Sequence, residues 1–247
     1  MIFARLLGLI LTAPVFSRRE IFPMAKVLLV FWTAGLLIYV VPVPPNLPTN
    51  PLTIVLAVIC EALLGVMIGF VTDLLVSGLE FAGTLMDTQA GLSVASLLDP
   101  STGRTITIIS LLLKWSAFTM FLLIDGHHLV LASIVQSFKI LPVASPINFS
   151  QGALEIVKLG SYLFFLGVQL SAPILLVVFI VDFGFGILNR VAEQINVFQL
   201  GFQIKPSVSL VVFLAATPLI VNSIYKIMEF ITEHLMKIFH ALQSVPQ

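Results

Sequence analysis

The sequence predicts an all-α, polytopic membrane-type protein built from long helices and helical hairpins. Composition is the first reason: 59% of the 247 residues are hydrophobic and 10% are charged, where a soluble domain carries about 25% charged residues. Repeated apolar runs are the second, since about 20 such residues in a helix cross a hydrocarbon core. The third is that the runs do not alternate, which argues against the two-periodic strands of a membrane barrel. Mean hydropathy is +1.12 and the formal net charge is zero, so there is no basic footprint for nucleic acid. The one cysteine, Cys60, lies inside an apolar run and reads as a small core residue.

The first run, Met1–Phe16, holds one arginine and Leu6-Leu-Gly-Leu-Ile-Leu11, with no Ala-x-Ala site after it. It reads as a retained helix rather than a cleavable signal. It stops at Pro14 and Ser17-Arg-Arg-Glu20. Pro23 opens a second helix reaching about Val41, because proline suits the first turn of a helix. Pro42–Pro51 contains five prolines and no charge, which rules out helix there. The turn with Arg18, Arg19 and Lys26 is basic and the proline-rich one is neutral, so the basic turn is expected on the cytoplasmic side.

Leu52–Leu98 runs 47 residues without proline. As one helix it would be about 70 Å long, against a hydrocarbon core of about 30 Å. It is expected either to fold back as a hairpin or to protrude, with Gly78, Gly83 and Gly91 as break points. Thr105–Ile124 is apolar except for Lys114, and Asp125-Gly-His127-His128 ends it. Leu129–Ile140 is amphipathic and stops at Pro142 and Pro146, with Asn148–Gly152 as a loop. Leu159–Val181 is the cleanest span, interrupted by Pro173. Leu188–Asn196 reads as a polar helix, Gly201–Pro206 as a turn, and Ser207–Val221 as the last strongly apolar run. In the tail, Lys226, Glu229, Glu233, Lys237 and His240 share one helical face.

Acids inside the long proline-free stretch need an explanation. Asp73, Glu80 and Asp87 are seven residues apart, so a helix sets them nearly on one face. Each acid near a membrane centre costs roughly 2.5–3.5 kcal/mol, and each large apolar residue returns only about 0.3–0.6. Val71–Leu98 is therefore not expected to lie in lipid on its own: its acids must face protein, water or a site above the bilayer. Two readings remain open, an ion or proton relay of a transporter and a structural polar seam satisfied by neighbouring subunits. Glu61 is expected to pair inside a helix bundle. Gly65 and Gly69 form G-x-x-x-G, which permits close helix approach within the chain or to another subunit.

Other chemistry finds little support. His127 and His128 are adjacent and lie about 100° apart on a helix, unlike the i, i+4 pair of a helical zinc site, so helix-end capping is expected of Asp125–His128. No nucleophile elbow, zinc-protease helix, Walker loop or dinucleotide fingerprint occurs. No catalytic residue, cofactor or metal site is expected. An intramembrane hydrolase would need facing aspartates, such as Asp73 or Asp87 with Asp182. Asn189 and Arg190 open a polar stretch that reads as a solvated face or a subunit contact, with Glu193 at i, i+3 from Arg190.

Taken in order, Thr12-Ala-Pro14-Val-Phe16 with Arg18-Arg19 and Pro23, Gly83–Asp87, Gly91 through Asp99-Pro100, Gly126-His127-His128, Leu188-Asn189-Arg190 and Phe202 resemble the FliR family of flagellar biosynthetic proteins. They resemble its virulence-type secretion counterpart more loosely, since Gly-His-His and Leu141-Pro142 look flagellar. The resemblance covers nearly the whole chain and rests on the succession of motifs rather than on any one. It implies a non-enzymatic core subunit of the type III protein export gate, in the bacterial inner membrane at the flagellar basal body. The implied partners are FliP and FliQ, with FlhB wrapping the entrance, and unfolded flagellar subunits pass through, driven by proton motive force. It further implies a FliP-like region over 1–145 and a FliQ-like hairpin and tail over 146–247. The loop before Asp-Pro would contribute a plug, here Gly91, Leu92, Val94, Leu97, Leu98, Asp99 and Pro100. Bulky aromatics are usual in that loop, and this chain has Val94 and Leu97 instead. The family also usually carries more residues before the Arg5 region.

Overall fold

The computed structural model describes residues 1–14, 16–17, 21–41, 48–93, 107–192, 194 and 196–243. The described residues form seven helices: α1 (Ile2–Thr12), α2 (Pro23–Leu37), α3 (Pro51–Ala90), α4 (Ile108–Leu123), α5 (Gly126–Ile140), α6 (Phe149–Val191) and α7 (Val197–Leu242). The all-α membrane-type class is as the sequence predicts. Among the described residues, three helices are long and apolar enough to cross a membrane: α3, α6 and the Val197–Ile227 part of α7. The broken pair of α4 and α5 makes up to four.

Asparagines start the three long helices. The Asn50 side chain accepts from the Leu52 amide at 3.3 Å, that of Asn148 from Gln151 at 3.3 Å, and that of Asn196 from Gln199 at 3.2 Å. Each satisfies a first-turn amide that would otherwise lack a partner. Asn148–Gly152 is thus a cap and a first turn, not the expected loop. Pro23 opens α2, as expected.

The 40 residues of α3 are one helix, about 60 Å long, so the stretch does not fold back as a hairpin. Gly78 and Gly83 do not break it. It ends at Ala90 because Gly91 takes φ +76°. The Gly91 amide then donates to the Thr88 carbonyl, and the Leu92 amide to the Asp87 carbonyl at 3.0 Å, the paired bonds of a Schellman cap. Two further expectations are corrected. The polar helix expected over 188–196 is the end of α6 up to Val191, after which Asn196 caps the next helix. The turn expected at Gly201–Pro206 is helical: Pro206 and Pro218 both lie inside α7. A proline removes one backbone bond, a loss that membrane-type helices tolerate.

The chain forms two compact units that interleave in sequence. One comprises Met1–Val76, Phe121–Ser161 and Met228–Gln247, the other Ser77–Met120 and Tyr162–Ile227. In the first, Leu6, Leu9, Leu64, Phe138, Phe239 and Leu242 are fully buried, and an antiparallel bridge ties Ile147 to Gln243. In the second, Leu79, Met86, Ile109 and Leu113 form the centre of the core.

Candidate functional site

In the second unit the acids of α3 find their partners on the chain itself. Asp87 is fully buried. Its carboxylate accepts from Thr107 Oγ1, from the Ile109 amide at 3.1 Å and from the Ser110 amide at 2.8 Å. These amides belong to the first turn of α4, where donors lack helical partners and the dipole favours a negative charge. Asp87 therefore closes one helix with its backbone carbonyl and opens the next with its side chain. Both ends of the connection from Leu92 to Thr107 are fixed to one residue. Glu80, one heptad earlier, accepts from Lys114 Nζ at 2.6 Å, with both side chains about one third exposed. The Glu80 carbonyl accepts from Ser110 Oγ at 3.2 Å. Gly83 lets α4 approach this closely, since a Cβ there would stand 2.4 Å from Ser110 Cα. Asp73 is half-buried on the same helix.

A cavity of about 680 Å³ lies in the same unit. Thr88, Gln89 and Gly91 line it from the end of α3, Asp182, Phe185 and Asn189 from α6, and Asn196, Phe198, Phe202 and Lys205 from the start of α7 and its cap. Lys205 Nζ pairs with Asp182 Oδ1. The structure so brings together Gly91 and Asn189, two residues singled out from the sequence. It adds Lys205, whose relation to Asp182 could not be read before the α6–α7 turn was known. Arg190 is exposed in the last turn of α6, where a cation complements the helix dipole. Leu92 follows the α3 cap, while Val94, Leu97, Leu98, Asp99 and Pro100 lie outside the described residues, as does Glu193.

The first unit has a buried ionic clasp that the sequence only half announced. Arg5 Nε donates to Glu61 Oε2 at 2.6 Å, with both side chains at most 1% exposed. The other guanidinium nitrogens donate to Ser137 Oγ and the Leu141 carbonyl, each at 3.1 Å. The guanidinium carbon stands 4.0 Å from the Phe138 ring centroid, within cation–π range. The second Glu61 oxygen accepts the Ala144 amide at 3.0 Å, and Ala144 takes φ +61°. Glu61 pairs inside a bundle as expected. A buried charge pair is tolerated only when its remaining polar atoms are also partnered, and here each nitrogen of the Arg5 guanidinium and both Glu61 oxygens have a partner.

Gly65 and Gly69 seat α1 on α3 in that unit. A Cβ at Gly65 would lie 1.9 Å from the Arg5 carbonyl, and one at Gly69 2.0 Å from Thr12 Oγ1. Gly8 answers from α1, with a Cβ 2.3 Å from the Ala62 carbonyl. Asp125 caps α5 through its backbone carbonyl, which accepts from His128 at 2.9 Å, and not through its side chain. Its carboxylate instead lies 3.5 Å from His128 Nδ1 and 4.0 Å from His127 Nε2. The three could offer donors to one cation, from an exposed turn with Asp125 in the left-handed region.

These features define a class: a helical membrane-type protein whose charged side chains hold its own helices together and help line a mixed polar and apolar cavity. Residues 1–231 match the bacterial export proteins, family 1, and the chain belongs to that family. It is 33% identical over 173 residues to the flagellar biosynthetic protein FliR of Pectobacterium carotovorum subsp. carotovorum, covering 68% of this chain and 64% of the relative. It is 28% identical over 174 residues to the FliR of Bacillus subtilis, covering 69% and 66%. It is also 33% identical over 114 residues to the Yop proteins translocation protein T of Yersinia pestis, covering 45% and 44%. The matches span just under two thirds of the length of these two flagellar relatives.

Proposed function

We propose that the chain is a non-enzymatic core subunit of a flagellar type III protein export gate in the bacterial inner membrane. It would work with FliP-, FliQ- and FlhB-type proteins to pass unfolded subunits through the basal body. The observation that carries this reading is the family match over residues 1–231 together with relatives named flagellar biosynthetic protein FliR. The side-chain chemistry agrees with it. Glu80 and Asp87 hold helices together, an occupation that leaves them poorly suited to a relay, so a small-molecule transporter is the weaker reading. The division into a FliP-like 1–145 and a FliQ-like 146–247 belongs to this proposal. So does a plug formed by Gly91–Pro100, which is supported by the double anchoring of that connection on Asp87.

Deleting the gene should abolish export of hook and filament subunits while their synthesis continues. Filaments that still assemble would refute the reading. The Yersinia relative supports a second reading, a virulence-type secretion gate. In that case the deletion would spare motility and block effector secretion. Shortening Leu92–Leu98 should leave assembly of the complex intact and make membranes leaky to ions, and unchanged permeability would argue against a plug there.

A further inference from the structure

The cavity at the α6–α7 end has a chemistry that the export reading does not use. We infer that it is a binding site for the zwitterionic headgroup of a phospholipid, with phosphatidylethanolamine as the ligand.

Position is the first argument. Asp182 directly follows the apolar run Leu159–Val181, and Lys205 is separated from the apolar run Ser207–Val221 only by Pro206. The ion pair thus stands where two membrane-length apolar helices give way to a polar turn. That is the level at which headgroups meet protein, and at which charged side chains avoid the cost of the hydrocarbon core.

Charge complementarity is the second. The lining offers one carboxylate and one ammonium, each partly exposed. A purely anionic ligand would be repelled by Asp182 and a purely cationic one by Lys205. A phosphoethanolamine group carries both signs a few bonds apart, so its ammonium can face Asp182 while its phosphate faces Lys205. Charge-assisted contacts of this kind are the stronger hydrogen bonds. Gln89, Asn189 and Asn196 add carboxamides, which can donate to phosphate and ester oxygens.

Apolar surface is the third. Phe198 lines the cavity, and Phe179 and Phe183 on α6 and Val211 and Leu214 on α7 are exposed. These surfaces can accept acyl chains beside the headgroup. A water-soluble ligand would gain nothing from them.

The test uses the full chain in nanodiscs containing equal phosphatidylethanolamine and phosphatidylglycerol, followed by native mass spectrometry of the lipids retained. Wild type should retain phosphatidylethanolamine by about tenfold over phosphatidylglycerol, the low end of what one hydrogen bond to a charged group contributes. Asp182→Asn should lower that preference, Lys205→Met and Asn189→Ala should each lower retention of both lipids, and Lys205→Arg should keep both. Circular dichroism of every variant should match wild type. Equal retention of the two lipids by wild type would overturn the inference, as would Lys205→Met retaining them like wild type. Competition by glycerophosphoethanolamine distinguishes the source: displacement at concentrations comparable to the lipid would mean a soluble ligand and overturn the lipid assignment. The outcome does not depend on whether the chain exports protein.

Discussion

Asp87 shows how one side chain can organise a region. It satisfies two orphan amides of α4 and the Thr107 hydroxyl, and its carbonyl closes α3. Replacing it with alanine should cost about 1–3 kcal/mol, the penalty of leaving buried donors without partners. Hydrogen exchange at the Ile109 and Ser110 amides should quicken; unchanged exchange would mean water takes over the caps. The Arg5–Glu61 pair is a stricter case. Arg5→Met alone leaves a buried carboxylate and should destabilise by about 3–5 kcal/mol, whereas the double change Arg5→Met with Glu61→Leu should recover much of that. Thermal unfolding in one detergent would measure both. Glu233 is a contrast: Lys237 hydrogen-bonds its carboxylate and holds its pKa below the ordinary range. A depressed carboxylate contributes stability above its unfolded pKa and loses it as the pH falls through the folded value. The group is fully exposed, so Glu233→Gln should leave unfolding at neutral pH unchanged within error.

At the scale of elements, glycine separates packing from mere flexibility. Gly65→Ala puts a methyl into the Arg5 carbonyl and should cost about 1–3 kcal/mol through overpacking. Gly184→Ala meets nothing within 4 Å inside α6 and should stabilise by about 0.5–1 kcal/mol, the helix preference for alanine. Comparing their melting temperatures tests the pair together. Much at this scale was legible in the sequence: the start of α2 at Pro23, Gly91 as one of three candidate breaks in the long proline-free stretch, and the acid face of α3 from its seven-residue spacing. The partners of those acids were not legible, because Lys114, Ser110 and Thr107 follow a connection whose path no periodicity describes. Pro206 misled for a physical reason. A proline breaks a helix in water more readily than in a bundle, where the lost bond can be compensated.

For the molecule as a whole, the exposed surface is the dominant property. Phe31 and Trp32 on α2, Phe179 and Phe183 on α6, and Val211 and Leu214 on α7 are all exposed, far more apolar surface than a soluble monomer presents. The purified chain should stay dispersed only in detergent or lipid, and, on the proposed function, co-expression with FliP- and FliQ-type proteins should raise the yield of dispersed protein. Size exclusion after detergent dilution would show this, and a monodisperse, detergent-free monomer would contradict it. Family membership was legible from the order of weak motifs, and the α6–α7 cavity was not. Its walls come from residues near 89, 182 and 205, which only the folded hairpin brings together.

The clasp in the first unit also sets a timetable for biosynthesis. Arg5 is followed by its counter-ion 56 residues later and by its last ligand, the Leu141 carbonyl, 136 residues later. While the ribosome makes the first of those stretches, a guanidinium on an otherwise greasy segment has no native mate. Insertion machinery, or water at the bilayer edge, must host it until Glu61 has emerged, and must serve its remaining donors until Leu141 has.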